Sequence, residues 1–209
     1  FITSKENKGE AKKVIWNISE IIKKEEGVRR VAAASIMFGK QGPLFLSDAT
    51  ININPTAEEL ANIALLTARA VKFFGLEPSV AMLSYSSFGS AVSESSLKVR
   101  EAVAYLHKNH PDLVVDGEIQ ADSALNPDKI AKNYPFSKLN NGKAANVLIF
   151  PNLEAANISY KLLKETEHLD TIGPVILGLT KPIHVATLGS TVDEMVNLAT
   201  LAVIQAQSE

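Results

Sequence analysis

The 209-residue chain has no cysteine. That excludes disulfides, thiolate-bound zinc and thiol catalysis, and it suits a reducing compartment, so a cytoplasmic location is expected. Histidine is scarce: four residues, scattered, none forming a ligand pair. No charge excess is present, the net charge being −2, which speaks against nucleic acid or an anionic membrane as partner. No apolar run approaches the roughly 18–20 residues needed to span a bilayer, and no signal peptide is visible. Internal repeats, low-complexity segments and Gly/Ser linkers are missing too. So are the glycine-rich phosphate loops GxGxxG and the P-loop, and any Ser-His-Asp order. The first residue is Phe1 rather than Met, and we expect a piece of a longer polypeptide.

What is there is a hydrophobic share of 46% against 21% charged residues, enough for a packed core. Strand-like and helix-like segments alternate. The run 7–27 reads as a charged amphipathic helix with Ile15, Ile18, Ile21 and Ile22 on one stripe. Strands are expected at 28–39, 42–52, 78–86, 112–120, 145–151, 173–179 and 182–187. Helices are expected at 54–75, 96–110, 153–169 and 191–207. Residues 124–144 read as an irregular polar stretch with room for a short helix. The helix at 54–75 is the clearest: Pro55 and Thr56 start it, Glu58 and Glu59 fill its first turn, and Gly75 closes it. Apolar strands separated by helices predict an α/β layered sheet with helices on both faces.

Polar groups gather where strands hand over to helices, the usual place for ligands in such sheets. The stretch LSYSSFGSAVSES (83–95) offers Ser86, Ser87, Gly89 and Ser90, and reads either as a ligand loop or as an ordinary loop with a serine helix cap. VDGEIQADSAL (115–125) holds Asp116, Glu118 and Asp122. Carboxylates there can bind a metal or act as a base, but no DxD spacing or accompanying His supports that, and a turn with a cap around Asp122 is the favoured reading. Asn152 follows Pro151 at another junction, and Asn157 and Lys161 lie four apart on the helix beyond it. On residues alone Lys161 reads as a solvated lysine, and Lys181 and His184 as surface or satisfied groups. VATLGSTVDEMV (185–196) is a glycine turn into a helix, with Ser190 or Thr191 as N-cap.

Four stretches in order, DATININPTAEELANIA, VAMLSYSSFGSA with KVREAV, PDLVVDGEIQADSALN, and FPNLEAANISYK with IGPVILGLTKPIHV, resemble the phosphate acetyl/butyryl transferase family. Their wording is most similar to the C-terminal phosphotransacetylase-like domain of bacterial hybrid malic enzymes. The resemblance implies an isocitrate/isopropylmalate dehydrogenase-like fold of two lobes with coenzyme A in the cleft. Residues 31–189 would be the second lobe. About 1–30 and 190–209 would be helices packing toward a first lobe that precedes Phe1. It implies homo-oligomers, an acyl-CoA partner with acetyl-CoA as effector, no cofactor in this domain, and NADP and a divalent metal only in a separate catalytic part.

Active members of the family carry KPVNDLSRGxxxxD where this chain has KPIHVATLGSTVDE. Thr187 stands at the serine position, Leu188 at the arginine position, and Glu194 at the acidic position. Trp16 falls at a second arginine position, across an insertion near residues 5–12. A leucine offers nothing to a phosphate that needs a cationic fork. The resemblance therefore implies a domain that keeps acyl-CoA binding and has lost acyl transfer, in which acetyl-CoA regulates malate decarboxylation elsewhere. The binding residues it implies are Lys161 and Lys181 for the phosphates and Thr187, Gly189 and Ser190 at the acyl end, with Asn152 and Ser86–Ser90 more distant candidates. An active phosphate acetyl/butyryl transferase and a purely structural oligomerising module are the competing readings.

Overall fold

The computed structural model describes residues 17, 21–186 and 190–207. Six strands form one sheet: β1 (Ala32–Gly39), β2 (Gly42–Ser47), β3 (Ser79–Leu83), β4 (Val114–Ile119), β5 (Val147–Ile149) and β6 (Asp170–Leu177), in the order β4-β3-β5-β2-β1-β6. β2, β5, β3 and β4 run parallel. β1 is antiparallel to both β2 and β6. β1 and β2 form a tight hairpin around Lys40 and Gln41, with Gly39 opposite Gly42, whose φ of +100° suits glycine. The carboxyl ends of β2 to β6 consequently share one edge of the sheet.

Helices cover both faces. α1 (Ala57–Phe73) and α2 (Glu94–Asn109) lie on one; α3 (Ala121–Ala124), α4 (Pro127–Asn133) and α5 (Leu153–Glu167) lie on the other; α6 (Val192–Gln207) closes the chain. Adjacent strand residues part to opposite faces, as the two-residue strand period demands. Ile36, Phe45, Met82 and Ile149 join Leu60, Ile63 and Leu106 of α1 and α2 in one core. Met37, Leu46, Ala81 and Leu148 join Ile130 and Ala156 in the other.

The helix starts follow their sequences. Thr56 caps α1 in a capping box with Glu59, and Ser93 caps α2 with Ser96. Asn152 caps α5 through the Ala155 N–H at 2.9 Å. Two expectations change. β6 starts at Asp170 because Thr171 and Ile172 pair with Met37 and Ile36, and the described part of the strand expected at 182–187, residues 182–186, contributes a bridge, His184 to Val175, instead of a strand. The expected helix at 7–27 falls mostly outside the described residues; its end, Lys24, bridges Leu179 rather than continuing a helix. No helix among the described residues is long and apolar enough to cross a membrane.

Candidate ligand site

The shared edge carries the polar loops, and one buried carboxylate organises the most polar of them. Glu118 near the end of β4 has a side chain only 1% exposed. The Ser86 hydroxyl donates to it at 2.9 Å and the Gly89 N–H at 2.7 Å. Arg100 of α2 reaches both its oxygens, at 3.1 and 3.0 Å. Burial by itself would raise this carboxyl; the hydrogen bonds from Arg100, Gly89 and Ser86 outweigh it and hold it at about 2. The rest of the loop closes on itself. Ser90 Oγ accepts the Ser87 N–H, Ser87 Oγ accepts the Gln120 N–H, and Ser86 Oγ accepts the Ala91 N–H. Gly89 adopts φ +90°, and a Cβ there would lie 3.5 Å from the Arg100 guanidinium. Four predicted site residues are thus brought together, with their polar groups turned onto Glu118, each other and the backbone of Ala91 and Gln120.

The neighbouring carboxylates have separate employment. Asp116 accepts the Ser137 hydroxyl at 2.8 Å and the Lys138 N–H at 2.9 Å, tying the loop after α4 to β4. Asp122 lies inside the first turn of α3, whose N-cap is Gln120, and pairs with Lys129 at 2.6 Å. Among the described residues no three His, Cys, Asp or Glu side chains gather as a metal site would require.

Two residues that matter at this edge were not singled out in the sequence. Asp48, buried after β2, accepts the N–H groups of Thr50 and Ile51 and the Asn52 side chain, and burial pushes its carboxyl up against those bonds. Lys98 bolts two loops together, donating to Asn54 at 2.7 Å and to the Pro151 carbonyl at 3.0 Å. Lys98 and Arg100 stand two apart on α2 and so serve different loops. The signal for the Arg100 pair was available in part: a glutamate on an otherwise apolar strand, once buried, demands a cation.

At the opposite edge of the sheet, beside the start of β6, Thr191 is the N-cap of α6. Its hydroxyl accepts the Glu194 N–H at 3.1 Å while Glu194 Oε2 accepts the Thr191 N–H at 2.9 Å, a capping box. Glu194 Oε1 takes Lys164 Nζ of α5 at 2.7 Å and the Thr171 hydroxyl at 3.0 Å. Partial burial raises this carboxyl, but the bonds from Lys164, Thr191 and Thr171 prevail and leave it below the ordinary glutamate value. Ser190, half-buried, precedes the cap. Thr187, Leu188 and Gly189 lie outside the described residues, as does Trp16.

The two lysines are not brought together. Lys161 is exposed on α5, which packs on the face of Met37 and Leu148. Lys181 lines a pocket with Leu66, Arg69 and Phe73 of α1, on the opposite face. Asn157 of α5 donates to the Ala49 carbonyl at 3.1 Å, and Asn152 spends its side chain on the helix cap.

This architecture has known counterparts. A phosphotransacetylase structure from Streptococcus pyogenes superimposes with a TM-score of 0.87 at 34% identity, over 99% of this chain and 62% of that one. The NADP-dependent malic enzyme of Haemophilus influenzae is 39% identical over 94% of this chain, which spans 26% of its length. The phosphate acetyltransferase of Clostridium acetobutylicum is 40% identical over 90% of this chain, which spans 58% of its length. With residues 6–203 matching the family described as phosphate acetyl/butaryl transferase, the chain belongs to that family.

Proposed function

We propose that this domain binds an acyl-coenzyme A, acetyl-CoA first among them, and uses it to regulate a malate-decarboxylating part of a longer polypeptide, having lost acyl transfer to phosphate. The observation that carries the reading is Leu188 at the family's arginine position, in a chain 39% identical to an NADP-dependent malic enzyme. Without that guanidinium the transferring phosphoryl oxygens lose a bidentate partner, a loss of about 10²–10³ in rate for one such stabilising group. The state of Glu194 supports the reading. A general base works best with a pKa near the working pH, whereas this carboxylate is depressed and engaged by Lys164, Thr171 and the helix cap.

In this reading Thr187, Gly189 and Ser190 face the acyl group. The outer apolar stripe of α6, with Val192, Val196 and Val203 all more than half exposed, rests on a first lobe supplied by further sequence, and the domain contributes to a homo-oligomer. NADP and a divalent metal belong to the catalytic part. Regulation requires that the acyl-CoA bind two global states unequally, typically by about 1–3 kcal/mol.

The competing reading is an active phosphate acyltransferase. The 40% identity to a phosphate acetyltransferase and the hydroxyl of Thr187 favour it. A phosphotransacetylase assay on the full-length protein, beside Leu188→Arg, separates the two. Inactive wild type with activity gained in Leu188→Arg is expected; clear wild-type turnover overturns the degenerate site. Acetyl-CoA at 100 times its Kd is expected to stabilise the protein by about 2.7 kcal/mol, and no stabilisation ends the sensing role.

A further inference from the structure

His184 sits where the chain, having left β6 at Leu177, turns back along it. Its backbone forms an antiparallel bridge with Val175, and its ring reaches α6, where Nε2 donates to Gln205 Oε1 at 2.8 Å. With the proton on Nε2, Nδ1 keeps a bare lone pair. That atom is buried without a hydrogen-bond partner, the one side-chain nitrogen or oxygen among the described residues in that condition. Buried polar atoms are normally satisfied, so this orphan calls for a reason. Ile183 and Val185 on either side of His184 pack with Ala33, Ile176 and Leu179, which gives the ring apolar company.

The charged groups on the surrounding elements are few. β6 carries only Asp170, at its far end from Val175, and α6 only Asp193 and Glu194, in its first turn. Arg69, Lys181 and Glu25 line the pocket that Gln205 shares, with Glu25 paired to Arg69 at 2.7 Å. Lys24 is turned to the Arg29 carbonyl, and Asp48 is engaged by its own loop. None of these is among the influences on the imidazole, which burial pushes below the ordinary histidine value against the Gln205 bond and the Ile183 backbone.

We propose that His184 is an acid-released latch on α6: neutral, it holds the end of the helix to the chain beside β6 through Gln205; protonated, it moves out to water and lets that end go. The added proton goes to Nδ1, where the latched ring offers it burial and no acceptor, so the charged ring gives up the Gln205 contact for solvation. The free ring takes a proton at its ordinary value of 6.5 and the latched ring only below it. The latch is therefore intact above that value and opens as pH falls through it. Leu198 and Leu201 stay buried, so the opening is confined to residues 202–207. The inference does not rest on the acyl-coenzyme A reading.

The test is hydrogen exchange of the full-length polypeptide, with rates corrected for the intrinsic pH dependence of exchange. Protection over 203–207 is expected to fall about tenfold between about pH 7.5 and about pH 5.5, the most that one proton site delivers one unit below its ordinary value. The α1 and α2 amides are expected to stay unchanged. In His184→Gln, whose amide still donates to Gln205 but takes no proton, protection is expected to be level across the two pH values. That variant keeps Asp48, whose carboxyl is raised by burial and is the rival source of an acid effect, and the other three histidines. Gln205→Leu is expected to show the unprotected helix end at both pH values. Wild-type protection that does not change with pH overturns the proposal, and so does an equal fall in His184→Gln. Wild-type protection in Gln205→Leu at neutral pH overturns the role given to the contact.

Discussion

Glu118 and Glu194 sit at opposite edges of the sheet, the first near the carboxyl end of β4 and the second against Thr171 at the start of β6, and each anchors a loop by accepting a backbone N–H, a serine or threonine hydroxyl and a basic side chain. The resemblance is in the parts; the difference is in what each group would leave behind. Glu118 lies in the interior, with its cation reaching in from α2. Glu194 starts a helix at the rim, 16% exposed, with water able to replace a lost partner. Identical chemistry therefore carries unequal weight. The interior glutamate fixes a loop whose hydroxyls are consumed internally. The rim glutamate fixes the start of α6 at Thr191.

The sharpest way to break this comparison is Arg100→Met. Removing one partner of a buried pair costs about 3–5 kcal/mol, because the other charge stays desolvated. Arg100 is itself 42% exposed, so some solvent remains near the carboxylate and the expected loss is about 2–3 kcal/mol by urea unfolding. A loss below about 1 kcal/mol would mean that the two glutamates are equivalent. The mechanism has a pH signature. A carboxyl held at about 2 when folded and at its ordinary value when unfolded adds stability that is fully present above the ordinary value and is lost as pH falls toward 2. The stability gap between wild type and Glu118→Gln is expected to be widest near neutrality and to close over that acid window. A gap that is flat across the window would remove the charge from the account.

How much of this could be read from residues alone differs along the chain. Thr56, Glu58 and Glu59 announced α1 because capping chemistry is local. The α/β layering was equally legible, since the apolar runs at 80–83 and 147–149 leave no polar face to expose. Pairing was not. Nothing local says that β1 runs against β2 and β6, or that Asp170–Ile172 extends β6 past Gly173 and Pro174. The candidate site was legible as a place and misread in its detail. Ser86, Ser87, Gly89 and Ser90 do meet at a strand-to-helix loop, but the Ser86 hydroxyl and the Gly89 N–H are directed at a glutamate 32 and 29 residues away in sequence, and the Ser87 and Ser90 hydroxyls accept backbone N–H groups. Lys161 and Lys181, paired by family position, separate because α5 and α1 cover opposite faces. Local signals survive folding; partnerships across the chain depend on the topology.

Thr191→Ala tests the rim directly. It removes the hydroxyl that accepts the Glu194 N–H, and loss of such a cap costs about 1 kcal/mol. The effect should appear as fraying: faster amide exchange over Val192–Met195 with the α1 and α2 amides unchanged. Uniform acceleration through the sheet would show that α6 and the core unfold as one unit, and that the rim glutamate carries more than a helix start.

The smallest effect is expected for Lys164→Met, the counterpart of Arg100→Met. The pair joins two partly exposed side chains, 34% and 16%, and such ion pairs are worth about 0–1 kcal/mol. Glu194 keeps the Thr191 N–H and the Thr171 hydroxyl when the ammonium is gone, so no buried charge is stranded. The methionine also retains much of the apolar stem that lies along α5. A loss of at most about 1 kcal/mol, alongside the larger one for Arg100→Met, would establish that position relative to water, rather than the number of partners, decides what each glutamate contributes. If the lysine variant lost as much as the arginine variant, α6 would have to be counted part of the folding core.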